Sequence, residues 1–127
     1  MEENFSILNL TKGKLPRLPF AVMKDTVLGP KYCLSIVFIS EKRSRELNKT
    51  YRQKNKPANI LSFPYDKKNG EIFICMATAK KQASDFDRTL TQFIGFLVIH
   101  GMLHLKGMQH SSTMEKREVE ISKKFNC

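Results

Sequence analysis

The sequence predicts an α+β fold: a single α/β sandwich domain, with a small mixed sheet packed on helices and a central apolar helix. Three observations lead there. Segments with helical and with strand periodicity alternate along the chain, so sheet and helices share a core. Two of the strand segments are joined by a short polar turn and form a hairpin, which makes the sheet mixed. With 127 residues the chain is long enough for one core and too short for two ordinary ones, so residues 1–127 read as one domain.

The elements follow in order. "FSILNL" (5–10) reads as a first strand. "LPRLPFAVMKDTVLG" (15–29) has apolar spacing that suits a helix ending at Gly29. "YCLSIVFIS" (32–40) is nearly continuous, β-branched and aromatic, the pattern of a strand buried on both faces. "EKRSRELNKTYR" (41–52) is a polar, basic helix with Ser40 as its N-cap, and "QKNKPAN" is a loop. "ILSFP" (60–64) is a short strand ended by Pro64; "DKKNG" turns the chain, and "EIFICM" (71–76) returns as the pairing strand. "ATAKKQASDF" (77–86) is a short helix. A long helix runs from about Arg88 to Lys106, with Asp87 as N-cap and Gly107 at its C-terminus. "SSTMEKREVEISKKF" (111–125) opens with Ser112 and Glu115, a capping-box spacing, and forms the last helix.

Hydrophobic residues make up 41% of the chain and charged residues 27%, which excludes a disordered composition. The formal net charge of +10 favours a polyanionic partner, nucleic acid or an anionic surface. Cys33, Cys75 and Cys127 are odd in number, widely spaced and without a CxxC, so all three read as reduced, structural thiols in a reducing compartment. "MEENFSILN" is acidic and does not match a signal peptide, and "FIGFLVIHGMLHL" is too short to span a bilayer. No membrane association and a cytoplasmic location follow as expectations.

All three histidines fall between residues 100 and 110, inside the most apolar segment. His100 and His104, at i and i+4, share one helix face with Cβ atoms roughly 5–6 Å apart. Gly107 breaks the helix, and His110 is where a returning chain can close a third corner. Three neutral imidazoles with a position left open describe a catalytic zinc site rather than a structural one. The spacing also matches the metzincin pattern H-E-x-x-H-x-x-G-x-x-H, except that Gly101 stands where the protease carries its general base. A metal can be held, but the proteolytic Glu is missing.

At these residues the sequence resembles the YbeY family, bacterial endoribonucleases of ribosomal-RNA maturation. "HGMLHLKGMQH" is similar to the family's H-G-x-L-H-L-x-G-[YF]-D-H. "LNKTYRQKNKPANILSFPYD" (47–66) is similar to its L-N-x-x-Y-R-x-x-x-x-P-T-D-V-L-S-F-P, and "NGEIFIC" (69–75) to its L-G-D-I-x-I. The resemblance implies a small α/β domain with the metal-bearing helix at its centre, and His100, His104 and His110 as ligands of one Zn2+. It implies that Arg52 faces the metal cleft. It further implies single-stranded RNA as substrate, action on the 3′ end of small-subunit ribosomal RNA and in ribosome quality control, and ribosomal or GTPase protein partners. Asn59, Glu71 and Gln109 stand where the family has Asp, and Met108 where it has an aromatic residue. The first and third are carboxylates lost near the site, and with them an orienting group or a general base.

RNA hydrolysis needs charge stabilised on the phosphate. Arg52 can pair two phosphoryl oxygens in a planar fork, and Ser62 can donate to one. The basic segment 41–56 runs into Arg52 and would give an electrostatic RNA path beside the metal. Tyr51, Phe63 and Tyr65 read as packing residues in preference to base-stacking platforms. The rival readings are a metallohydrolase of another substrate class, such as a peptide, and a non-catalytic ribosome-associated assembly factor.

Overall fold

A computed structural model describes residues 4–127. Residues 1–3, part of the acidic amino-terminal stretch and of the 1–127 span, lie outside the described residues. The order is β1 (Phe5–Asn9), α1 (Phe20–Val27), β2 (Cys33–Phe38), α2 (Glu41–Arg52), β3 (Ile60–Pro64), β4 (Asn69–Ile74), α3 (Met76–Gln82), α4 (Leu90–Leu105) and α5 (Ser112–Lys124). The sheet runs β1-β2-β4-β3. β1, β2 and β4 are parallel, and β3 pairs antiparallel with β4, so the sheet is mixed.

Side chains alternate across the sheet and bury on both of its faces. Leu34, Ile36 and Phe38 of β2 and Ile72 and Ile74 of β4 join the main core with α1, α4 and α5. On the opposite face Val37, Ile39 and Leu61 meet Leu47 of α2 in a smaller cluster. β2, central and covered on both sides, is the continuous apolar run that the sequence shows. α4 touches β3, β4, α1, α3 and α5 and is the hub of the fold. Among the described residues no helix is long and apolar enough to cross a membrane. Cys33, Cys75 and Cys127 are all free thiols.

Several boundaries differ from the sequence expectations by a residue or two, with β4 starting at Asn69 inside the expected turn, and others differ for a clear local reason. Helix α1 begins at Phe20, not Leu15. Pro16 and Pro19 lack the N–H and push Leu15 and Leu18 toward extended backbone, so the apolar spacing of 15–19 cannot become helix. β4 ends at Ile74; Cys75 caps α3, which passes into a 3-10 turn over Ala83–Phe86. Asp87 is not the N-cap of α4: in the left-handed region at φ 52° it closes the preceding 3-10 turn at its C-terminus, and α4 is capped by Thr89. Thr89 and Gln92 form a reciprocal capping box, with Thr89 Oγ1 accepting from Gln92 N at 3.1 Å and Gln92 Oε1 from Thr89 N at 3.0 Å. Helix α5 is capped by Ser111, whose Oγ accepts from Met114 N at 3.2 Å. With Ser111 as cap, the box position falls on Met114, so Ser112 and Glu115 form no capping box.

Candidate metal centre

The site is built around the end of α4. His100 and His104 lie one turn apart on it, and the helix stops through a Schellman motif. Met108 N donates to Leu103 O at 3.0 Å and Gly107 N to His104 O at 2.9 Å, with Gly107 at φ 102°. That reversal has two consequences. It aims the Met108 carbonyl back at His104, whose Nδ1 lies 3.0 Å from it. It also returns His110 to the same corner, just before the Ser111 cap. The three histidines each offer a ring nitrogen, and these lie within 4.8 Å of one another. Ring centroids are 4.5 Å apart for His100 and His104, 5.2 Å for His100 and His110, and 4.7 Å for His104 and His110.

Hydrogen bonds fix how two of the rings face. A backbone carbonyl can only accept, so His104 carries its proton on Nδ1 and gives it to Met108. His100 Nδ1 lies 2.5 Å from Glu118 Oε2, and the carboxylate accepts its proton. Both Nε2 atoms are then lone-pair donors, and they face each other at 3.0 Å. Two lone pairs so close, with His110 beside them, repel unless a cation or a shared proton lies near. This donor set fits a divalent ion of the zinc class, which binds neutral imidazole. Burial first, and then the neighbouring His100, hold the His104 imidazole below the ordinary histidine range, which favours the unprotonated ligand form.

Sequence reading missed Glu118. It is 7% exposed and sits on α5 between Met114 and Ile121, on the stripe that faces the core. A carboxylate in line with Met114 and Ile121 on the core-facing side of the helix was the available signal. Of the three positions where the family has Asp, Asn59 lines the cleft together with the histidines, and Glu71 keeps a carboxylate. Asn59 Nδ2 donates to Gln82 Oε1 at 2.8 Å, Glu71 accepts from the Tyr65 hydroxyl at 2.5 Å, and Gln109 is exposed.

The histidines open into a cleft of about 650 Å³, whose other walls are the end of α2 and strand β3. Arg52 and Ser62 both line it, so the structure brings all five sequence-selected site residues to one cavity. Arg52 is the last residue of α2 and is exposed. The loop that follows it is held by two buried polar side chains. Ser44 Oγ donates to Ala58 O at 2.7 Å and accepts from Ala58 N at 2.8 Å, and Asn48 Nδ2 donates to Lys56 O at 2.8 Å. These bonds lace the 53–59 loop to α2 and set the rim of the cleft. Ser62 lies on β3 opposite Ile72, against the helix at Gly101. A Cβ on Gly101 would come 2.8 Å from Ser62 Oγ and 2.9 Å from Ile60 Cδ1. The absence of a side chain is what lets α4 approach β3. Lys49, Lys54 and Lys56 are exposed around the same end of α2. The burial expected for the aromatic residues fails for two of three: Tyr51 and Tyr65 are 61% and 64% exposed.

A family model for "Endoribonuclease YbeY" matches residues 13–126. The Endoribonuclease YbeY of Acholeplasma laidlawii is 37% identical over 107 residues, covering 79% of this chain and 78% of its own. That of Colwellia psychrerythraea is 35% identical over 125 residues, covering 87% and 81%. The solution structure of TM1509 from Thermotoga maritima superimposes with a TM-score of 0.67 at 25% identity, covering 94% of this chain and 87% of that one.

Proposed function

The chain belongs to the endoribonuclease YbeY family, and from that premise we propose that it hydrolyses single-stranded RNA in the cleft between α4, β3 and the end of α2. As a member of that family it is a hydrolytic nuclease. The observation that carries the assignment to this cleft is the convergence of three imidazole nitrogens within 4.8 Å, with Arg52 and Ser62 on the facing wall.

His100, His104 and His110 would hold one divalent ion, zinc by the chemistry of three neutral imidazoles. Such an ion supplies Lewis acidity, which acidifies water near neutral pH and withdraws charge from a phosphoryl oxygen. The protein's own groups do the rest. Glu118 and the Met108 carbonyl keep the Nδ1 protons of His100 and His104, so both Nε2 atoms point into the cleft. Arg52 presents a planar fork of donors to two oxygens of the scissile phosphate, where charge grows as water adds and a P–O bond breaks. Ser62 donates to a phosphate oxygen from β3. The exposed Lys49, Lys54 and Lys56 draw in the flanking backbone.

Family membership also supports a place in maturation of the 3′ end of small-subunit ribosomal RNA and in ribosome quality control. A cytoplasmic location and partners among ribosomal proteins and GTPases belong to the same reading. Peptide hydrolysis is disfavoured, because Gly101 stands at the proteolytic base position and is pressed against β3. The test compares RNA products from metal-free protein, zinc-reloaded protein and a zinc-treated His104→Ala variant. Cleavage should appear only in the reloaded parent. Equal cleavage by the metal-free parent, or by His104→Ala, would sink the proposal.

A further inference from the structure

Tyr51 stands beside Arg52 in the last turn of α2, and both line the cleft that opens on the three histidines. Most of its side chain is in solvent, yet its position is fixed. Its ring meets Phe63 edge to face at 5.2 Å and 66°, and Phe63 meets Phe73 in the same manner at 5.6 Å and 76°. Phe63 and Phe73 in turn pack on Val37, Ile39, Leu47 and Leu61. A row of rings thus braces Tyr51 from the core and leaves the remaining ring surface open at the cleft. An aromatic residue held in this way, and not covered, has the form of a platform.

We propose that Tyr51, braced by Phe63, is a nucleobase subsite: an unpaired base next to the phosphate at Arg52 stacks on the Tyr51 ring. The proposal rests on the endoribonuclease reading above and adds which feature of the RNA the cleft selects. A nucleotide carries a charged phosphate and a flat apolar base within one repeat of its backbone. Neighbouring residues of one helix end here offer a guanidinium and an open aromatic ring to the same cavity. Stacking tolerates any base, because every base has a π face. Inside a duplex both faces of a base are already covered by its neighbours, so only an unpaired nucleotide can use Tyr51. Tyr51 therefore contributes single-strand preference without touching the metal centre.

The experiment uses zinc-loaded full chain and a short single-stranded RNA carrying 2-aminopurine, read both as quenching on binding and as cleavage. Tyr51→Ala should weaken affinity and raise KM by roughly five- to a hundredfold, the range seen when a stacking aromatic is truncated. Tyr51→Phe keeps the ring and should stay within about twofold of the parent, with zinc content unchanged in both. An RNA with one abasic residue at the quenched position should lose the same factor with the parent and nothing further with Tyr51→Ala. Tyr51→Phe as defective as Tyr51→Ala would assign the effect to the hydroxyl and overturn the subsite. So would an abasic penalty equally large in Tyr51→Ala. A parent that cleaves RNA while Tyr51→Ala binds it equally well overturns the subsite and leaves the endoribonuclease reading. Tyr51-dependent binding without any cleavage by the parent does the reverse.

Discussion

Glu118 gives the sharpest test of how the candidate metal centre is built. Its carboxylate sits 2.5 Å from His100 Nδ1, is 7% exposed, and belongs to a different helix from the ring that it orients. Removing it has two separable effects. Glu118→Gln retains an acceptor for the Nδ1 proton and loses the negative charge that makes the imidazole a better donor to a cation. Glu118→Ala loses both, leaves a polar N–H facing a cavity, and frees the ring to rotate. Groups that orient a metal-bound histidine are worth about 10- to 100-fold in metal affinity. Glu118→Gln should lie near the lower figure and Glu118→Ala near the upper. A tenfold step corresponds to about 1.4 kcal/mol, so the alanine variant should lose roughly 2.7 kcal/mol of zinc binding. The assay is competition for zinc against a chromophoric chelator at neutral pH, with circular dichroism of the metal-free proteins as a check on folding. A folded Glu118→Ala that binds zinc with parental affinity would refute the orienting role.

Four further outcomes are expected. Arg52→Ala should slow single-turnover cleavage by about a hundredfold or more while weakening binding far less, and Arg52→Lys should be nearly as slow because it keeps the charge and loses the fork; parental rates at saturating RNA would leave Arg52 as mere basic surface. Reversing the charge of Lys49 and Lys54 together should lower the slope of log affinity against log salt by about 0.7 per lost phosphate contact, or about 1.4 for both; an unchanged slope moves the RNA path elsewhere. Gly101→Glu should destabilise by about 1–3 kcal/mol for overpacking alone, with a further cost for burying the carboxylate, and should gain no peptide hydrolysis; a parental urea midpoint contradicts the close α4–β3 contact. Tyr65, whose hydroxyl donates to Glu71, should ionise near pH 12 against the usual 10, with the Glu71→Ala variant returning it toward 10. Since the folded pKa is raised, any stabilisation from this bond is complete below pH 10 and lost as pH climbs through 12, which absorbance at 295 nm and alkaline melts would follow.

The elements most legible in the sequence were those whose signals are local. The bounds of α2 and β3 follow from a serine cap, a polar helix and a terminal proline, all within a few residues. The i, i+4 histidines and Gly107 likewise encode their own geometry. Where two local signals compete, the pattern is ambiguous: Asp87 and Thr89 are both good caps, and only Gln92, three residues after Thr89, decides between them. The apolar spacing of 15–19 was misleading because prolines override periodicity. What stayed hidden depends on docking between distant segments. Glu118 faces His100 only because α5 lies against α4, and the Met108 carbonyl is a backbone atom that no residue type announces. The exposure of Tyr51 is equally non-local, since the smaller core closes over Phe63 and Phe73 and stops short of the third ring.

Gly101 shows how one helix-borne histidine pattern can serve different chemistry. In the protease pattern the residue after the first histidine supplies a carboxylate base. Here that position points at β3, and its missing side chain is what lets Ser62 and Ile60 approach the helix. The close approach makes β3 the wall of the cleft and brings Ser62, and with it the loop laced to α2, opposite the imidazoles. A glutamate at residue 101 would push that wall away. The general base and the facing wall are thus alternatives for the same space. This chain has the wall, and beside it the end of α2 presents Arg52 to the same cleft, a permanently charged fork suited to a phosphate rather than to a peptide carbonyl.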